Sequence, residues 1–122
     1  MAQKSHAILV VDDEPLIRLM LVDMLDADGF DVVDAADADE ALAAIEQRPD
    51  IRVMFSDIQM PGSMDGLALA HVARRRHPML GIILASGATF PSSCAMPTAA
   101  RFFTKPYNMT DVAAAVRALL ST

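Results

Sequence analysis

The sequence predicts a doubly wound α/β domain built on a five-stranded parallel sheet. Five short apolar runs, rich in β-branched or aromatic residues, alternate with segments that have helical spacing. The runs are nearly continuous, which indicates strands that are covered by helices on both faces. A chain of 122 residues is too short for a barrel of the same units, which needs about 250 residues. An open twisted sheet is therefore expected.

Each element has its own signal in the chain. The helix that begins at Pro15 has a proline suited to a first helical turn and Gly29 suited to its end. The other helices are rich in Ala and Leu, with charge confined to one side. The predicted strands are 7–11, 32–33, 53–55, 81–85 and 101–103. The predicted helices are 15–29, 38–48, 65–76 and 109–120. This alternation fits the flavodoxin-like (βα)5 arrangement with strand order 2-1-3-4-5.

The fourth unit departs from this pattern. Residues 78–100 contain no charged side chain, and Pro91 and Pro97 interrupt any helix between the fourth and fifth strands. We expect a shortened or irregular fourth helix and an uncharged surface around residues 88–99. A partner that binds there would meet a surface unlike that of a regular helix.

Composition narrows the possible partners and the location. With 16 acidic and 10 basic residues, the net charge of −6 repels nucleic-acid backbones and anionic lipids, so neither nucleic acid nor membrane is an expected partner. The single cysteine, Cys94, cannot form an internal disulfide, and no signal peptide is evident. We expect one cytoplasmic domain that spans residues 1–122.

Polar residues stand at the carboxyl ends of four predicted strands. Asp12 and Asp13 follow the first strand, Asp57 closes the third, Ser86 closes the fourth and Lys105 follows the fifth. In an open parallel sheet these ends meet at one crevice. Three carboxylates this close need a cation, and Mg²⁺ is the natural hard ion for oxygen ligands. With a lysine and a hydroxyl nearby, the predicted site suits a phosphoryl group, and Asp57 is the candidate nucleophile.

These residues lie in motifs that resemble those of response-regulator receiver domains of two-component signalling. The motifs are VVDDEP, SDIQMPGSMDG, ILASG and FFTKPY. The resemblance implies that Asp57 is the phosphoacceptor and that Asp13 and the Gln59 carbonyl join it as Mg²⁺ ligands. Asp12 would act through metal-bound water, while Ser86 and Lys105 would contact the phosphoryl group.

The resemblance also implies a conformational switch. On phosphorylation the Ser86 hydroxyl would move toward the phosphate, and Phe102 would turn inward. Lys105-Pro106 resembles the cis peptide of the family. The MPGSMDG loop has one residue more than the common pattern, which bears on partner choice.

Structural explanations remain open for several of these residues. Strand-terminal aspartates also serve as helix caps and turn formers, and Phe102 could be a plain core aromatic. The arginines at 74–76 are best explained by the dipole at the end of their helix.

The expected function is a stand-alone receiver, because no output domain follows Thr122 in the sequence. It would accept a phosphoryl group on Asp57 from a histidine kinase or a histidine phosphotransfer protein. Phosphotransfer and slow dephosphorylation would be self-catalysed, so the chain is not expected to be an enzyme in the ordinary sense. Its signal would leave through contact with an unknown downstream protein.

Four alternatives remain. The chain could be the receiver of a hybrid kinase that acts as a phosphorelay intermediate or sink, or a receiver that signals without phosphate. A Mg²⁺-dependent phosphohydrolase would share the acidic site, but it usually needs an inserted cap domain. A flavin or nucleotide module would need Gly, Ser or Thr after the first strand, where this chain has acids.

Overall fold

A five-stranded parallel sheet forms the centre of the protein. The computed structural model describes residues 6–88 and 91–121. Its strands are β1 (Ala7–Val11), β2 (Asp31–Ala35), β3 (Ile51–Asp57), β4 (Gly81–Ser86) and β5 (Arg101–Thr104). All four neighbouring pairs are parallel, and the strand order is β2-β1-β3-β4-β5. The predicted fold class and strand order are confirmed.

Four α-helices cover the sheet in the described part of the chain. They are α1 (Pro15–Ala27), α2 (Ala38–Gln47), α3 (Gly66–Arg76) and α4 (Met109–Leu120). Side chains of Asp37, Asp65 and Asn108 cap α2, α3 and α4 by accepting backbone N–H bonds. Gly29 has a φ of +95° just after α1, as its predicted role at the helix end requires. None of the helices described is long and apolar enough to cross a bilayer.

The sheet separates two apolar layers, one on each face. Leu9 and Val11 point toward α2 and α3, while Ile8 and Val10 point toward α1 and α4. Every residue of β1 is fully buried, which explains its unbroken apolar sequence. Burying each such side chain contributes about 1.5–3 kcal/mol, so β1 anchors both layers.

The connection between β4 and β5 contains only the short 3₁₀ helix Ser93–Ala95 in its described part. The expectation of an irregular fourth helix is therefore confirmed; residues 89 and 90 lie outside the described residues. The ring nitrogen Nε2 of His71 lies 2.7 Å from the Ala95 carbonyl. Arg74 donates from Nη1 to the Thr98 carbonyl at 2.6 Å. Two side chains of α3 thus hold the connection where a helix would otherwise pack.

Gly66 allows the start of α3 to approach the end of β3. Its N–H donates to the Ile58 carbonyl at 2.8 Å. A Cβ atom at this position would lie 2.8 Å from both the Asp57 carbonyl carbon and the Ile58 Cα. The backbone at Asp57 is therefore fixed by a contact that only glycine permits.

Gly66→Ala is expected to lower the free energy of unfolding by about 1–3 kcal/mol, because the surrounding backbone atoms cannot move away from the added methyl group. Urea unfolding followed by circular dichroism measures the change. Gly87→Ala is the matched control, since its Cβ would meet the nearest atom at an ordinary 3.5 Å. Equal stability of the two variants would contradict the proposed contact.

Candidate metal centre

Three carboxylates from two strand ends meet at the carboxyl edge of the sheet. Asp12 and Asp13 follow β1, and Asp57 is the last residue of β3. Each offers an oxygen atom, and these atoms all lie within 4.8 Å of one another. Asp12 and Asp57 are buried, and Asp13 is partly exposed. The predicted convergence of the three side chains is present.

Lys105 supplies a positive charge at the same place. Its Nζ lies 3.3 Å from Asp57 Oδ2 and 3.9 Å from Asp12 Oδ2. The backbone fixes its origin: the Lys105 N–H donates to the Ser86 carbonyl at 3.0 Å, and the bond to Pro106 is cis, as expected. Three ionised carboxylates and one ammonium would leave two net negative charges in this cluster.

Asp12 is only half satisfied by its surroundings. Its Oδ1 accepts the Glu14 N–H at 2.9 Å, and its carbonyl accepts Arg18 Nη1 at 2.7 Å. Its Oδ2 is buried and finds no hydrogen-bond partner among the residues described. A buried carboxylate oxygen without a partner is costly, so the site favours a cationic ligand at this point.

Burial also shows in the titration of the cluster. Desolvation raises the pKa of Asp57 above its ordinary value even though Lys105 and the Gln59 N–H lower it. Desolvation likewise raises the pKa of Asp12, with the Asp57 and Asp13 carboxylates adding to the effect. Burial and the nearby carboxylates together raise the pKa of Tyr107 to about 12. The protein alone therefore resists full ionisation of the cluster.

These observations fit a hard divalent cation. The donors are carboxylate oxygens, one oxygen is unpartnered, and two excess negative charges would be balanced by one such ion. Acidic clusters on protein surfaces are common without a metal, but here two of the three carboxylates are buried. Buried carboxylates this close repel one another, and a bound cation would stabilise their ionised forms.

The other predicted site residues lie around the same edge. The Ser86 side chain is buried at the end of β4, and its Oγ accepts the Ala88 N–H at 3.2 Å. Gln59 has an exposed side chain, and its backbone N–H donates to the Asp57 carboxylate. Phe102 is partly buried on β5 and packs against the layer beneath α2 and α3. Their roles in phosphotransfer and switching stay predictions.

The extra residue in the loop after β3 leaves the acceptor in place. Gly62 adopts a φ of +115°, and the Ser63 hydroxyl donates to Asp39 Oδ1 on α2 at 2.8 Å. Asp57 still pairs in register with Ala85. The insertion is therefore absorbed on the α2 side of the loop.

Arg18, which no motif in the sequence marks as a site residue, ties three elements together at the site. Besides the Asp12 carbonyl, it binds Asp34 Oδ2 at 2.9 Å, so α1 is held against the ends of β1 and β2. The one sequence feature that could have indicated this role is its position one helical turn beyond Glu14, close to the acidic pair. Nothing in helical spacing alone distinguishes it from a solvated arginine.

Comparison with known proteins assigns the family. Residues 8–117 match the family model described as the response regulator receiver domain. The chain therefore belongs to the receiver domains of two-component response regulators. Members of this family are signalling domains that work with histidine kinases.

Relatives and solved structures agree with this assignment. The nitrogen assimilation regulatory protein NtrX of Azorhizobium caulinodans is 41% identical over 85 residues, which cover 68% of this chain and 18% of that protein. The probable transcriptional regulatory protein TcrX of Mycobacterium tuberculosis is 35% identical over 93% of this chain and 49% of its own length. The chain thus spans from about a fifth to about half of these curated relatives.

Among solved structures, the receiver domain of NtrX from Brucella abortus has 35% identity and a TM-score of 0.82. That match covers 94% of this chain and 98% of that domain. The receiver domain from the hybrid histidine kinase CckA has 32% identity and a TM-score of 0.81, with 93% and 98% coverage. Likeness therefore extends over nearly the whole domain.

Asp12→Asn is expected to raise the melting temperature at neutral pH in the absence of divalent ions. The substitution removes one of the crowded buried charges while it keeps the shape of the side chain. It should also weaken stabilisation by Mg²⁺, which for the unchanged protein reaches about 2.7 kcal/mol at 100 times Kd, because the expected contact of Asp12 through metal-bound water is lost. Asp23→Asn, an exposed site on α1, is the control and should leave both quantities unchanged.

The same comparison has a pH dependence of fixed sign. Because the folded-state pKa of Asp12 is raised, folding stability is lost as pH rises above the unfolded-state value of about 3.9. The gain from Asp12→Asn should therefore be small in acid and grow toward neutrality. A gain that shrinks with rising pH in thermal melts without Mg²⁺ would contradict the burial argument.

Proposed function

We propose that Asp57 accepts a phosphoryl group from a phosphohistidine of a histidine kinase or a histidine phosphotransfer protein. The observation that carries this proposal is the position of its carboxylate. It lies at the end of β3, among three carboxylates, with Lys105 Nζ at 3.3 Å. A carboxylate oxygen so placed can act as a nucleophile while a cation neutralises its neighbours.

In this proposal Asp13, Asp57 and the backbone carbonyl of Gln59 would hold Mg²⁺, and Asp12 would act through metal-bound water. The metal supplies charge neutralisation for the incoming phosphoryl oxygens. The all-oxygen donor set suits a hard divalent ion such as Mg²⁺.

The residues of the chain then have distinct tasks in the transfer. An Asp57 oxygen forms a bond to phosphorus as the bond from phosphorus to the donor histidine nitrogen breaks. The donor ring is protonated on its other nitrogen, so it leaves with the electron pair of the broken bond as a neutral imidazole. The Lys105 ammonium leaves its contact with the free carboxylate and pairs with a phosphoryl oxygen. The Ser86 hydroxyl donates to another oxygen of the phosphoryl group. Hydrolysis of the acyl phosphate by water restores Asp57.

Phosphorylation is then read out by the surface near β4 and β5. Movement of Ser86 toward the phosphate opens space for Phe102 to turn inward from its partly buried position. Since Phe102 has no hydroxyl, the inward state depends on apolar burial. We propose that residues 1–122 form one receiver domain that works as a stand-alone unit and signals by contact with a downstream protein.

A second candidate is a phosphorelay intermediate or sink within a hybrid kinase. Its support is the likeness to the receiver domain from the hybrid histidine kinase CckA. Transfer of labelled phosphate from Asp57 to a histidine phosphotransfer protein would favour this candidate. Hydrolysis without onward transfer, together with a phosphorylation-dependent protein contact, would favour the stand-alone receiver.

Asp57→Asn is expected to abolish covalent labelling by acetyl phosphate and Mg²⁺, because the amide oxygen is a poor nucleophile. Intact-protein mass spectrometry detects the acyl phosphate. Asp23→Asn, a charge-matched change at an exposed site, should be labelled like the unchanged protein. Stoichiometric labelling of Asp57→Asn would overturn the assignment of the acceptor.

Lys105→Met is expected to slow labelling by about 100-fold without preventing it, since one charged donor to the transferred group is lost. Lys105→Arg keeps the charge and should retain more of the rate. The measurement is the rate of label formation at saturating Mg²⁺. If both variants react as fast as the unchanged protein, Lys105 has no part in transfer.

A further inference from the structure

A second concave surface lies at the amino ends of β3 and β4. It consists of two adjoining cavities of about 260 Å³ and 320 Å³. We call this surface the basal groove, and four residues line both of its cavities. They are Arg52, Pro78, Met79 and Leu80. Arg76 and His77 also line the first cavity, and Arg74 also lines the second.

The basal groove is remote from the carboxylate cluster. Arg52 is the second residue of β3 and Asp57 is its last. At roughly 3.3 Å per residue, these two positions stand about 16 Å apart along the strand. A ligand in the groove would therefore leave the acceptor side chain untouched.

The groove is cationic in a chain that is otherwise acidic. No Asp or Glu lines either cavity, although the chain has 16 acidic residues. The side chain of Arg52 has no hydrogen bond or ion pair with any residue in the described ranges. Arg76 meets only Glu46, at 3.3 Å with both side chains half exposed, and such a pair holds weakly. Two guanidinium groups thus remain able to bind an anion.

Two other arginines, Arg48 and Arg117, already have carboxylate partners at short range. Arg48 binds Asp31 at 2.6 Å and Asp50 at 2.8 Å, and Arg117 binds Asp28 at 2.7 Å. Arg52 instead lies with Arg76 in the wall of a cavity whose lining contains no carboxylate, so an acidic partner could reach two guanidinium groups there. The helix dipole explains arginines in the last turn of α3, but it does not explain Arg52 on a strand.

The walls of the groove are held by the fold. Arg74 donates from Nε to the Leu80 carbonyl at 3.0 Å and from Nη1 to Thr98, so it joins the turn before β4 to the connection before β5. The Nε2 atom of His77 is buried and finds no partner within the described chain. That nitrogen is closed to solvent, so it belongs to the wall and is not a contact point for a ligand.

An apolar side chain stands beside these charges. Met79 is 85% exposed, more than Leu16 at 68% or Leu19 at 56%. An exposed methionine adapts to the shape of an apolar partner side chain. A small inorganic anion would use the arginines and leave Met79 in water, whereas a peptide could use both.

We propose that the basal groove binds an acidic segment of a partner protein, with carboxylates on Arg52 and Arg76 and an apolar side chain against Met79. Nucleic acid fits less well, because the net charge of −6 opposes a polyanion over the rest of the surface. The proposal depends on the groove alone and is independent of phosphorylation at Asp57.

The test is a titration of the ¹⁵N-labelled chain with a short acetylated peptide of alternating glutamate and leucine, followed by NMR. Amide shifts are expected at residues 49–52 and 76–81. The double variant Arg52→Gln with Arg76→Gln should bind about tenfold more weakly, and Met79→Ser severalfold more weakly. Arg101→Gln removes an exposed arginine that lines neither cavity and should bind normally.

Three results would overturn the proposal. They are an absence of shifts in the two segments, equal weakening by Arg101→Gln, and binding of inorganic phosphate as tight as that of the peptide. A dispersed amide spectrum of the ¹⁵N-labelled double variant shows that it is folded, whether or not Asp57 accepts a phosphoryl group. Loss of peptide binding at the groove and failure of the acceptor are thus separate outcomes.

Discussion

The structure depends on the enforced proximity of three carboxylates at the edge of a parallel sheet. Asp12 and Asp57 are buried there, and Lys105 balances only one of the charges. Left alone, the cluster costs folding free energy, because desolvated like charges oppose ionisation. A divalent cation bound at this edge would relieve that cost. The feature that destabilises the fold is also the one that suits the edge to bind a cation.

The backbone makes this arrangement possible. Parallel pairing of β1 with β3 and of β4 with β5 aligns their carboxyl ends, and the Lys105 N–H is fixed on the Ser86 carbonyl. Gly66 lets α3 begin directly against Asp57. The apolar layers on both faces supply the stability that offsets the crowded charges. The free energy of folding therefore includes both the gain from the apolar layers and the cost of the carboxylate cluster.

Much of this arrangement was predictable because its signals are local in the sequence. The sequence predicts the position of the site from two local signals. They are the acids at strand ends, at positions 12, 13 and 57, and the lysine that precedes a proline. Pro91 and Pro97 predicted the irregular connection between β4 and β5, where only a short 3₁₀ helix is found in the described part. Arg18, Gly66 and the groove at Arg52 were not predictable, since each depends on packing between distant segments. The side chains that cap the N-termini of helices were not predictable either, because an aspartate before a helix looks like any turn residue.

The most direct test of the central claim is a titration of the aspartate side-chain carboxyl carbons by ¹³C NMR, with and without Mg²⁺. Without metal, Asp12 and Asp57 should titrate above the ordinary aspartate value, because burial raises the pKa of both carboxyl groups. With saturating Mg²⁺ both pKa values should fall, because the ion favours the charged forms. The account would be contradicted if both carboxyl groups had ordinary aspartate pKa values and if these values did not change when Mg²⁺ was added.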